Sequence, residues 1–183
     1  MYKLTDLYKQ LKEEEQAAQV SQYKIYCDMD GVLCDFDKRF EQFGGMSSRE
    51  YEAKYGTKKF WELIDKVGAD FWSKIPWMTE GKQLWNHIKQ YNPSLLSAPS
   101  QDYSSRYGKK LWVQENMPGT RLILAKRANK KDYASGKSIL IDDREDNINE
   151  WRAAKGIGIL FKSAEQTINE LKKLGLWATI NTD

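Results

Sequence analysis

Two acidic clusters stand far apart in this chain, and each follows a short apolar run. Asp28 and Asp30, in Asp28-Met29-Asp30-Gly31, come after Tyr23-Lys24-Ile25-Tyr26-Cys27; Asp142-Asp143 come after Ser138-Ile139-Leu140-Ile141. Short apolar runs of this kind read as buried strands of a parallel sheet. Loops beyond the carboxyl ends of such strands are where α/β folds bind ligands. Folding that brings both loops to one crevice gathers four carboxylates, a cluster that repels itself until a cation neutralises it. The donors are hard oxygens, which points to Mg²⁺. Zinc is disfavoured, because the single His87 and the two cysteines, Cys27 and Cys34, do not complete a zinc site. Either acidic pair alone is common in loops and helix caps; the reading rests on the two together, each after a strand.

These clusters need elements to position them. Further strands are expected at residues 94–97, 121–125, 138–141 and 156–161, with helices at 104–116, 146–154 and 164–174 between them. This alternation predicts an α/β fold, a doubly wound parallel sheet with helices on both faces. Residues 37–79 are too long for a simple loop and carry helical patterns broken at Gly44-Gly45, Gly56 and Gly68. They read as a small helical cap inserted after the first strand. The core is then residues 23–36 together with 80–183. Residues 1–22 form a unit of their own, in which Leu4, Leu7, Tyr8 and Leu11 recur at helical spacing. Such a helix packs on the domain or pairs two copies into a homodimer.

Composition sets the class. With 183 residues, 40% hydrophobic and 13% aromatic, the chain suits one globular domain with an insertion. Seven Trp and ten Tyr exceed what such a core needs, so some are expected to line a pocket. A net charge of +3 gives no strong nucleic-acid signal. Cys27 and Cys34 read as packing residues of a reducing compartment. No apolar stretch reaches membrane-spanning length and no signal-peptide core is present, so a cytoplasmic location and no membrane partner are expected. Gly136-Lys137-Ser138 looks like the tail of a phosphate-binding loop, but Lys131 stands where its first glycine belongs and a strand, not a helix, follows.

The full string Asp28-Met-Asp-Gly-Val-Leu-Cys-Asp-Phe36 resembles the first motif of the haloacid dehalogenase-type phosphatases, which use an aspartate nucleophile. More narrowly it resembles the 5′(3′)-deoxyribonucleotidases. Leu95-Leu96-Ser97-Ala98-Pro99 resembles the second motif, Lys130-Lys131 lies where the lysine of the third belongs, and Leu140-Ile141-Asp142-Asp143 resembles the fourth. The similarity spans residues 23–165 and implies a Rossmann-like core and a Mg²⁺-dependent phosphatase. It makes Asp28 the nucleophile of an aspartyl-phosphate intermediate and Asp30 the general acid and base. The implied metal ligands are the Asp28 carboxylate, the Asp30 backbone carbonyl and Asp143, with Asp142 acting through water. Ser97 and a lysine, Lys131 in preference to Lys130, would clamp the phosphate.

The sequence departs from the nucleotidases at Ala98, where they carry a second hydroxyl residue, and in a lysine-to-aspartate spacing one residue longer. Substrate contacts are expected from Phe36 and the Phe60-Trp61 pair, since aromatic faces suit a nucleobase. Phe71-Trp72 and Trp77 read instead as packing between cap and core. The implied substrate is a nucleoside monophosphate, with deoxyribonucleotides favoured. Nucleic-acid ends or another small phosphoester are alternatives, as are a non-catalytic nucleotide-binding module and an interaction protein acting through its amino-terminal helix.

Overall fold

The computed structural model describes Leu4, Thr5, Leu7, Tyr8, Leu11 and residues 22–177. Five strands form one sheet: β1 Lys24–Cys27, β2 Ser94–Ser97, β3 Leu122–Leu124, β4 Ser138–Asp142 and β5 Ile157–Leu160. Their order is β3-β2-β1-β4-β5 and every pairing is parallel. Both faces are covered, as continuous rather than alternating hydrophobicity dictates. Ile25, Cys27, Leu95, Ile139 and Ile141 enter one buried cluster. Their neighbours Tyr26, Leu96 and Leu140 enter a second with Ile148 and Trp151. The period-two alternation therefore sorts side chains between two cores, not between core and solvent.

The helices are α1 Phe36–Gly44, α2 Ser48–Val67, α3 Ala69–Ser73, α4 Thr79–Ile88, α5 Tyr103–Asn116, α6 Glu145–Ala153 and α7 Ala164–Lys173. Several starts are written in the sequence as caps. Asp35 accepts from the Lys38 amide (3.0 Å), Asp102 from the Ser104 amide (2.7 Å) and Ser163 from the Gln166 amide (3.2 Å). Ser47 and Glu50 form a reciprocal capping box on α2. Thr79 opens α4 without capping it; the cap position is Met78.

Helices α1 to α3 lie between β1 and α4. Glycines mark their joints: Gly45 ends α1 in the left-handed region, Gly56 kinks α2 and Gly68 separates α2 from α3. Phe40, Phe60, Phe71 and Trp72 are buried there. The α3 helix lies against α5, and the contact is close because position 108 is glycine: a Cβ there would come within 2.5 Å of the Ala69 carbonyl and the Trp72 Cβ. Trp77 donates to Asn116 Oδ1 (2.8 Å) and Trp112 to the Ile75 carbonyl (2.7 Å), which fixes the return to the sheet. The Leu4, Leu7, Tyr8 and Leu11 side chains are exposed. The rest of the expected amino-terminal helix lies outside the described residues. Among the described residues, no helix is long and apolar enough to cross a membrane.

Candidate active site

The strand order reverses beside β1: β2 and β3 extend the sheet on one side, β4 and β5 on the other. Loops leaving β1 and β4 therefore diverge and open a crevice at their carboxyl ends, the usual place for a ligand in such sheets. Cys27 pairs with Ile141, so the residues that follow, Asp28 and Asp142, stand side by side. Carboxylate oxygens of Asp28, Asp142 and Asp143 lie within 4.8 Å of one another. Gly31 turns the chain away at φ +77°, and any side chain there would collide with the Asp143 carboxylate.

One cation is already built into the cluster. The buried Lys130 places Nζ 2.8 Å from Asp28 Oδ2 and 2.7 Å from Asp142 Oδ2. Burial alone would lower its pKa, but the charges of Asp28 and Asp142 prevail and raise it, so it stays an ammonium. Asp142 is wholly buried and accepts further bonds from Asn147 Nδ2 (2.9 Å to each oxygen) and the Arg144 amide (3.0 Å). Burial, with Asp28 beside it, still raises its pKa against the pull of Lys130 and Asn147. Asp28 Oδ1 accepts from the Met29 amide at 2.8 Å. Asp143 reaches solvent at the mouth of the crevice. Desolvation by the crevice wall, then the charges of Asp28 and Asp142, push its carboxyl up to about 7. An acid so raised is a group waiting for a positive charge, and this fits a divalent cation.

The expected lysine needs correction. Lys131, preferred from the sequence, is exposed and pairs with Glu150 at 3.4 Å; Lys130 holds the carboxylates. Both sit in the 3₁₀ turn Arg127–Tyr133. Three residues per turn send neighbours about 120° apart, so only one of the two faces the site.

Asp30 and Ser97 are joined by a residue the sequence reading did not single out. Lys109, on α5 and fully buried, places Nζ 2.5 Å from Asp30 Oδ2 and donates to Ser97 Oγ at 3.1 Å. The signal was present: Lys109 shares the buried stripe of α5 with Ser105, Trp112 and Val113, where a lysine needs a reason to be. Asp30 Oδ1 is buried without a hydrogen-bond partner among the described residues.

The aromatic expectations divide. Phe60 is buried and Phe36 half-buried, its ring packed against those of Phe40, Phe60, Phe71 and Trp72 at 5.3–6.4 Å. Trp61 is exposed, its ring nearly perpendicular to that of Phe60 (4.9 Å between centroids, 80°). Of the three rings expected to touch a base, Phe36 and Phe60 are thus largely spent on packing, and Trp61 is the exposed one. A groove of about 510 Å³ opens at the opposite end of the sheet, by Lys24, Ser94, Arg121 and Lys137, but among the described residues no carboxylate lines it.

No protein-family profile and no curated protein matches the sequence. Solved structures do match in shape. A HAD-superfamily hydrolase from Ehrlichia chaffeensis superposes with a TM-score of 0.53 at 12% identity, over 82% of this chain and 96% of that one. A hydrolase from Streptococcus pneumoniae TIGR4 gives 0.52 at 15% identity, over 84% and 99%. A predicted phosphatase from Clostridium acetobutylicum gives 0.51 at 14%, over 84% and 91%. The fold is the Rossmann-like fold of haloacid dehalogenase-type hydrolases. In that fold the acidic pairs, Ser97 and Lys130 all occupy the strand ends and the turn around one crevice.

Proposed function

We propose that this chain is a phosphomonoester hydrolase with Asp28 as nucleophile, acting on nucleoside monophosphates and on deoxyribonucleotides foremost. The observation that carries the reading is the buried Lys130 held between Asp28 and Asp142 at the switch point of the sheet, with Asp143 at its mouth. A phosphoryl group entering there meets Lys130 and the Ser97 hydroxyl. Asp28, steadied by the Met29 amide and Lys130, attacks phosphorus as the bond to the leaving oxygen breaks, and Asp30 gives that oxygen a proton. Water then attacks the phosphorus of the aspartyl phosphate and yields its proton to Asp30. The bond to Asp28 breaks, inorganic phosphate departs and both carboxyl groups return to their starting states.

The Asp28 and Asp143 carboxylates, with the Asp30 carbonyl, would hold Mg²⁺, which supplies charge neutralisation between the phosphate and its acidic surroundings. Asp142 is committed to Lys130, Asn147 and the Arg144 amide, so it serves as their anchor. The nucleotide preference is supported by the motif resemblance and by the exposure of Trp61, an aromatic of the type that stacks on a base. Phosphate release measured with Mg²⁺ across deoxy- and ribonucleoside monophosphates, a 3′-phosphorylated oligonucleotide and an aryl phosphate tests the reading. Turnover of deoxynucleotides, abolished by Asp28→Asn, is expected. Turnover confined to the oligonucleotide or aryl phosphate would keep the mechanism and remove the nucleotide preference. No turnover at all would sink both.

A further inference from the structure

We infer that Lys109 is a positioning residue that aligns Asp30 and Ser97 together and ties both to the inserted helices. The inference rests on the phosphatase reading above. Three partners surround its ammonium group: Asp30 Oδ2 at 2.5 Å, Ser97 Oγ at 3.1 Å and the Trp72 ring, 5.1 Å to its centroid. Each does something different. The Asp30 contact fixes Oδ2 of the acid/base carboxylate and so sets the tilt of a carboxyl group whose side chain keeps 29% exposure and whose Oδ1 is buried without a partner among the described residues. The Ser97 contact makes that hydroxyl an acceptor toward Lys109. A hydroxyl carries one proton, and with Lys109 as donor on one side that proton is left to point elsewhere, toward a phosphate oxygen. The Trp72 contact is a cation over an aromatic face, and Trp72 belongs to α3 of the insert. The bare backbone at Gly108 allows α3 and α5 to approach closely enough for that contact. The arrangement of the insert is thereby transmitted through one buried side chain to the groups that bind phosphate and move the proton.

A lysine that merely fills space and one that aligns an acid differ in a measurable way. Proton donation matters little when the leaving group is a stable anion and greatly when it is an alkoxide. The experiment measures kcat and KM with Mg²⁺ for wild type and Lys109→Met over a series from 4-nitrophenyl phosphate through phenyl phosphate to an alkyl phosphate. The expected loss in kcat/KM, which reports the step that expels the leaving group, is about tenfold for the nitrophenyl ester and grows to about a thousandfold for the alkyl ester. KM for the ester whose kcat is limited by that step is expected to rise because Ser97 is released. An equal loss of kcat/KM along the series would overturn the assignment. Wild type without activity on any ester would remove the phosphatase reading and this one with it, whereas an active wild type with a flat series removes only this one. Thermal melting checks folding. Should Lys109→Met not fold, Lys109→Gln is read in the same series; failure of both to fold assigns Lys109 a structural role alone and overturns the proposal.

Discussion

Residue by residue, the crevice sets four carboxylates against two buried ammonium groups, and Asp143 is the carboxylate with no lysine on it among the described residues. Asp28 and Asp142 share Lys130, and Asp30 has Lys109. Removing Lys130 leaves two buried carboxylates facing each other, and breaking a buried pair from one side costs about 3–5 kcal/mol. Lys130→Met is therefore expected to lower the melting temperature sharply without metal and to abolish turnover. Lys131→Met breaks only a surface pair with Glu150 and should change stability by no more than about 0.5 kcal/mol. A melting comparison of the two settles which lysine serves the site. Asp143 makes a pH prediction. Its pKa is about 7 in the fold against 3.8 ordinarily. A raised acid contributes stability below its unfolded value and loses it as pH climbs through the folded one, so metal-free stability should decline between about pH 4 and about pH 7. A cation competes with that same proton. Mg²⁺ affinity by calorimetry should therefore be markedly higher at about pH 8 than at about pH 6, and Asp143→Asn should flatten the dependence.

Among the elements, the packing of α3 on α5 is the joint on which the insert depends. Gly108 has no room for even a methyl group against the Ala69 carbonyl and Trp72. Gly108→Ala must push α3 away, at about 1–3 kcal/mol for overpacking. Displacement of Trp72 from Lys109 should also lower kcat beyond what a simple loss of folded protein explains, which activity normalised to the folded fraction will show. The strand and helix positions of the sheet domain and the breaks between the helices after β1 were legible beforehand, because apolar runs and glycine breaks act locally. Asp35, Ser47 and Asp102 cap their helices with their own side chains, and Gly45, Gly56 and Gly68 fall at the breaks. Phe60 was less legible. Its pairing with Trp61 resembles a substrate-stacking pair, but a residue on α2 faces inward or outward according to what lies beneath it, and Phe40 lies beneath Phe60, with ring centroids 5.0 Å apart.

For the molecule as a whole, ligand binding and folding should be linked. A cation that binds the folded crevice and not the unfolded chain stabilises by about 2.7 kcal/mol at a hundredfold excess over its dissociation constant. Mg²⁺ is expected to raise the melting temperature of the wild type, chelation to reverse it, and Asp28→Asn to reduce the shift. Cys27 and Cys34 take no part in this: both are free and buried, and burial, with the acids nearby, pushes both thiols up. They remain protonated packing groups beneath the crevice.

The sequence by itself determined the alternation of strands and helices, the helices that follow the first strand and the acidic residues of the crevice, because hydrophobic periodicity and strand-end motifs are short-range features. Only the tertiary structure decided which lysines reach the crevice carboxylates. Lys130 and Lys131 are equivalent in sequence and differ in the direction a 3₁₀ turn sends them. Lys109 is 79 residues from Asp30 and 12 from Ser97, and it meets both because α5 crosses behind the strand ends. Charge pairing of this kind depends on distances in space, which strand order sets and local pattern does not record.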